Sequence, residues 1–132
     1  MTFQELLQLF FVHRELEVVF NAGDKKLWFD LITIEGEKLT VQSCCGNGHF
    51  VRGTVLLMKE TNTPMYISAY MDQLELFKRS EHYYPVSKPR IRLLDAVGFN
   101  DFEIIDHSCS NKTLSISLQP VTETAFGLNV RS

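Results

Sequence analysis

The sequence holds no run of about 18 apolar residues, so no segment can span a bilayer as a helix. Cysteine is scarce, three in 132 residues, and an odd count gives no closed disulfide framework; reduced thiols in a cytoplasmic setting are the expectation. Four prolines and seven glycines are too few for a collagen-like or low-complexity chain. Neither sign of charge dominates: 13 Lys and Arg against 16 Asp and Glu leave a net charge of −3, which excludes a surface given over to gripping a nucleic-acid polymer or acidic lipid. The opening Met1-Thr2-Phe3-Gln4-Glu5 has no basic stretch ahead of an apolar one, so a secretory leader is not expected. What remains is an ordinary globular mixture, 45% hydrophobic and 22% charged. A chain of this length buries roughly two thirds of its unfolded surface without a disulfide or metal staple.

Thr2 and Glu5 have capping-box spacing, and Phe3, Leu6, Leu7, Phe10 and Phe11 then fall on one helical stripe that Leu9 widens. A helix from Thr2 to Arg14, docked by its aromatic face, is expected. After Arg14 the period changes. Leu16 to Phe20 and Leu27 to Ile34 read as strands joined through the turn chemistry of Asn21-Ala22-Gly23-Asp24, and Glu35-Gly36-Glu37 closes the second. Leu39 to Val41, Phe50 to Met58 and Met65 to Tyr70 read as further strands, and Leu74 to Phe77 as either strand or helix. Pro85 and Pro89 mark an extended segment. Ile91 to Leu94, Phe102 to Ile105, Leu114 to Leu118 and Phe126 to Val130 complete the pattern. Strands at about ten-residue spacing without helical crossovers predict a mainly β protein with an N-terminal α-helix, built as a small antiparallel β-barrel. A division, if the chain is built as two half-barrels, falls between residues 1–77 and 78–132; the alternative is a single packed domain.

Chemistry-bearing residues are concentrated in two places. Lys78, Arg79, Lys88, Arg90 and Arg92 gather with one acid, Glu81, in a chain that is acidic overall. Such a patch can hold phosphate, Arg by bidentate contacts and Lys as a point charge; the plain alternative is a solvated connector. Asp106-His107-Ser108-Cys109-Ser110-Asn111 lies between two strand-like runs and suits a tight turn, with Asn111 able to take positive φ. Adjacent strand residues point to opposite faces, so Asp106, His107 and Ser108 do not amount to a hydrolytic triad. Cys45, His49, His107 and Cys109 are the one set from which a metal site could be assembled, and their spacing lacks a structural-zinc pattern. Gly46-Asn47-Gly48 precedes no helix and so makes no phosphate loop. Trp28, Phe29, Phe50, Tyr66, Tyr70, Phe102 and Phe126 sit in strand patterns and are expected in the core, whereas Tyr83-Tyr84 is an aromatic pair near Arg79 that can stack on a base or a partner.

The order Phe77-Lys78-Arg79-Ser80-Glu81-His82-Tyr83-Tyr84, Pro89 to Leu93, Phe102 to Ser108 and Leu114 to Ile116 resembles the opening of a PilZ domain, the bacterial signalling module that binds cyclic di-GMP. The preceding part is similar in outline to the N-terminal barrel of YcgR-like flagellar-brake proteins. The resemblance implies that Arg79 is the first arginine of the basic motif, and that Asp106 and Ser108 hold the first two positions of a D/N-x-S-x-x-G turn. Tyr83 stands where the second arginine belongs and Asn111 where the glycine belongs. One missing guanidinium clamp weakens phosphate binding by about 1.5–3 kcal/mol, roughly tenfold to a hundredfold, which Lys78, Arg90 or Arg92 would have to restore. The expectation is therefore a non-catalytic regulatory module that works through a protein partner. Cyclic di-GMP is a candidate, weakened ligand on Lys78, Arg79, Arg90, Arg92, Asp106, Ser108 and Asn111, and neither a cofactor nor a metal is implied. The alternative is an unrelated small β-barrel adaptor, immunity or assembly protein without a nucleotide ligand.

Overall fold

Helix α1 spans Phe3–Val12 and begins where the capping box places it. The Thr2 hydroxyl accepts from the Glu5 N–H at 3.2 Å, and the Glu5 carboxylate accepts from the Thr2 N–H at 2.8 Å. Two further N–H groups of the first turn would be orphaned; Phe3 donates to the Ser87 carbonyl and Gln4 to that of Pro85. The helix stops at Val12 rather than Arg14, and its buried stripe is Phe3, Leu6 and Phe10. Phe11, expected on that stripe, is 54% exposed.

The computed structural model describes residues 1–42, 48–95 and 98–121, of which 39–42, 48–51 and 98–99 are described by strand pairing alone. Among the described residues six strands follow α1: β1 (Glu17–Ala22), β2 (Lys25–Gln42), β3 (Gly48–Thr61), β4 (Lys88–Asp95), β5 (Gly98–Cys109) and β6 (Thr113–Pro120), with helix α2 (Ser68–Lys78) between β3 and β4. They close into a barrel in chain order. Each half, β1–β2–β3 and β4–β5–β6, is an antiparallel meander, while the two seams, β3 with β4 and β6 with β1, are parallel. The expected barrel is thus present, but it is not wholly antiparallel. Strands from both sides of Phe77 form one ring.

Period-two alternation sends Val18 and Phe20, Phe29 and Leu31, Leu56 and Met58, Ile91, and Leu114, Ile116 and Leu118 into one core. α1 and α2 add Phe3, Leu6, Phe10, Tyr70, Leu74 and Phe77 to the same cluster. Phe20 stacks on Phe29 at 4.6 Å, and Phe3 meets Phe77 and Tyr83 edge-on at 5.7 Å each. Register slips at Leu31/Thr33 and Ile104/Asp106 each leave one extra residue, Ile32 and Ile105, turned out of the alternation and exposed. Gly23, with φ of 65°, opens the two-residue β1–β2 turn.

Three expectations are corrected. Met65 to Tyr70 is not a strand: Tyr66 makes one bridge with Glu17, and α2 starts at Ser68. Tyr70, Leu74 and Phe77, spaced four and three apart, give the buried face of that helix, so Leu74 to Phe77 is helical too. This helix is the crossover a parallel seam requires, and the alternation of Met65-Tyr66-Ile67 concealed it. Second, Leu27 to Ile34 and Leu39 to Val41 belong to one strand. Gly36 does not end it; a Cβ there would come within 3.0 Å of the His82 Cβ, so glycine permits a close approach. Third, Asp106 to Cys109 are strand residues of β5, with the turn confined to residues 110–112, and Asn111 does not take positive φ. Cys44, Cys45, Asn47 and the expected strand Phe126 to Val130 lie outside the described residues.

α2 also mends the barrel wall. β1 pairs with β2 only from Phe20 to Ala22; ahead of Phe20 it lies apart from β2, with Val18 donating to the Met65 carbonyl and Ile67 to that of Leu16. The carbonyls of β2 left beside the gap would be orphaned. The buried Tyr70 hydroxyl donates to that of Phe29, and the Gln73 amide to that of Leu31 at 2.8 Å. No helix among the described residues is long and apolar enough to cross a membrane.

Candidate functional site

β4 alternates Pro89 and Ile91, both buried, with Arg90 and Arg92. That alternation sends both guanidiniums to the outer face, where Asp101 on β5 is the register partner of Arg92. Asp101 accepts from Arg90 at 2.9 Å and from Arg92 at 2.8 and 3.0 Å, and Glu37 on β2 lies 3.2 Å from Arg92. Burial raises the Asp101 pKa, but the hydrogen bonds and charges of Arg92 and Arg90 outweigh it and hold the carboxyl below its ordinary value. The Asp101 hydrogen bond in turn raises Arg92. The second carboxylate oxygen of Glu37, Oε1, is buried without a hydrogen-bond partner among the described residues. Arg90, Arg92 and Asp101 line a cavity of about 440 Å³ with Asn100, Phe102 and Pro120. The arginines expected to hold phosphate are thus neutralised by two acids, Asp101 and Glu37, that no sequence motif marks. Asp101 could have been found from the β4–β5 hairpin, whose antiparallel pairing sets it opposite Arg92, whereas Glu37 is brought by the ring alone.

Arg79 is the exposed C-cap of α2, its N–H bonded to the Leu76 and Phe77 carbonyls. Lys78, one residue earlier, lines a groove between α1 and α2 of about 440 Å³. Asp106 lines a different groove, about 530 Å³, between α1 and β5, with Glu5, His13 and His107. Gln8 and Val12 of α1 border both grooves, so the helix stands between Lys78 and Asp106. Ser108 is exposed on β5 opposite Ser115, and Asn111 is exposed in the β5–β6 turn. The seven expected ligand residues therefore fall in three places: the outer wall, the end of α2, and the β5–β6 side.

Comparison with family models, curated proteins and solved structures gave no match.

Of the other candidate chemistry, Cys109 is exposed with its sulfur 3.6 Å from His13 Nδ1 and donating to the Ser110 carbonyl. No group of three His, Cys, Asp or Glu residues is placed to hold a metal among the described residues, and Cys45 of the four-residue set lies outside them. The aromatic pair separates. Tyr83 packs beside Phe3, and Tyr84 lies under the Arg52 guanidinium at 5.1 Å. Tyr66, expected in the core, is exposed, and Trp28 is half-buried with its indole N–H donating to Glu17 at 2.7 Å.

What the sequence pattern did not flag is the outward face of α1. Phe11 and Val12, 54% and 69% exposed, form an apolar ridge, with Arg14 over the Phe11 ring at 4.6 Å. Contiguous apolar area held in water along the rim of a groove is a feature of contact surfaces.

Proposed function

We propose that the chain is a non-catalytic binding module that works through protein contacts made by α1 and the groove beside it. The observation that carries this reading is the ridge of Phe11 and Val12, exposed on a helix whose other face is locked into the core by Phe3, Leu6 and Phe10. A rigid element presenting unburied apolar area loses little conformational freedom on binding. The resemblance to PilZ regulators supports the same role and adds cyclic di-GMP as a ligand. For that ligand, Lys78 and Arg79 offer exposed cations at the end of α2, while Arg90 and Arg92 would first have to leave Asp101 and Glu37.

Two measurements test the proposal. A photo-crosslinking phenylalanine at position 11, set against the same residue at the exposed Asp24 in the β1–β2 turn, should give discrete crosslinked protein only at position 11 in native cell extract. Equal labelling at both positions, or none either in extract or with the purified chain at about 1 mM, overturns the contact reading. Calorimetric titration of cyclic di-GMP reads the nucleotide arm separately. Binding that Arg79→Ala weakens at least about tenfold supports it, and no heat at high micromolar ligand removes it while leaving the protein-contact arm standing.

A further inference from the structure

We infer that the partner at the α1–α2 groove is a second copy of this chain, packed about a two-fold axis that crosses α2 between Glu75 and Lys78. The inference rests on the contact-module reading and names its partner. The groove is walled by Leu7, Phe11 and Val12 of α1 and by Met71 and Leu74 of α2. Glu75 and Lys78 border it, three residues apart and so neighbours on the helix surface, and both are exposed. Neither has an ion-pair partner among the described residues.

A two-fold axis reverses the direction of the opposing α2. It sets Glu75 of one copy toward Lys78 of the other, and the second pair forms by symmetry. A single patch thereby satisfies all four charges, which an unrelated partner would do only by carrying the same acid–base order reversed. Phe11 and Val12 of each copy meet the other's groove, covering the apolar area that each leaves in water. The patch is small against the roughly 800 Å² per partner of a standard interface, so the association belongs to the weak, transient class. Its dissociation constant should lie in the range of about 10–500 µM, equivalent to roughly 4.5–7 kcal/mol.

Sedimentation velocity over about 5–1000 µM protein should show a reversible monomer–dimer equilibrium in that range. Phe11→Asp should weaken it at least about tenfold by burying a carboxylate in the groove. Glu75→Lys or Lys78→Glu should each weaken self-association about three- to tenfold by setting like charges opposite. An equimolar mixture of the two reversals should then associate more tightly than either alone, because the mixed pair restores opposite charges on both sides of the axis. All three substitutions are at exposed positions, and unchanged thermal melts confirm folding. A wild type that stays monomeric throughout, a dimer indifferent to Phe11→Asp, or a mixture no tighter than its components each overturns the inference. Crosslinking at position 11 to other proteins, with no product of twice the chain mass, defeats the second copy while leaving the contact module intact.

Discussion

Replacing Tyr70 by Phe removes one oxygen atom from the wall of the barrel. Tyr70 is fully buried, and its hydroxyl is the donor to the Phe29 carbonyl where β2 has parted from β1. The ring of the variant fills the same space and keeps its contact with Phe10, whose ring centroid lies 5.9 Å away. The cost is therefore that of a buried carbonyl left without a donor, about 1–3 kcal/mol. For a domain of this size that corresponds to roughly 3–5 °C in Tm per kcal/mol. Urea unfolding followed by circular dichroism should show a lower midpoint at unchanged slope. The same substitution changes the alkaline limb. Burial, and next to it the charge of Asp30, raises the Tyr70 phenol above its ordinary value. The unfolded chain thus releases this proton near pH 10 while the folded one keeps it, so stability is full below about pH 10 and falls as pH rises beyond it. Tyr70→Phe should show a shallower alkaline loss than wild type. A variant within about 0.5 kcal/mol of wild type at neutral pH, with an identical alkaline slope, would refute the account of α2 as the donor that closes the gap.

Asp101→Asn should cost about 1–3 kcal/mol, because it leaves Arg90 and part of Arg92 without their carboxylate in a cluster where the Asp101 side chain is 18% exposed. Asp101 titrates below its ordinary value when folded, so its contribution is complete above the unfolded carboxylate range and is lost as pH falls from there through the lower folded value; acid titration of wild type against this variant reads the difference. Thr2→Ala breaks the hydroxyl half of the capping box and should destabilise by about 0.5–2 kcal/mol, detectable as faster amide exchange in the first turn of α1. Gly23→Ala places a Cβ on a residue at φ 65°, in open space, so the loss, about 1 kcal/mol by thermal unfolding, measures backbone strain without a clash.

Each local feature that the sequence announced is one whose cause lies within a few residues. Thr2 and Glu5 fix the start of α1 through bonds three residues apart, and Phe3, Leu6 and Phe10 choose its inward face. Alternation in Leu114, Ile116 and Leu118 sufficed to place β6, and the apolar Ile91 to Leu94 sufficed to locate β4, which begins three residues earlier at Lys88. Short-range pattern could not separate Met65-Tyr66-Ile67 from a strand, because three alternating residues fit both periods and only the docking of Tyr70, Leu74 and Phe77 selects the helix.

The site shows the same division more sharply. Arg90 and Arg92 share a face because β4 begins at Lys88, ahead of the expected Ile91, and residues two apart on a strand point the same way. That Asp101 and Glu37 meet them, and leave them paired, was decided by the closing of the ring, which brings β2, β4 and β5 within reach across 64 residues of chain from Glu37 to Asp101. Likewise composition could count Phe10 and Phe11 but not tell which is buried; the angle at which α1 lies on the barrel sends one into the core and leaves the other, beside Val12, facing water.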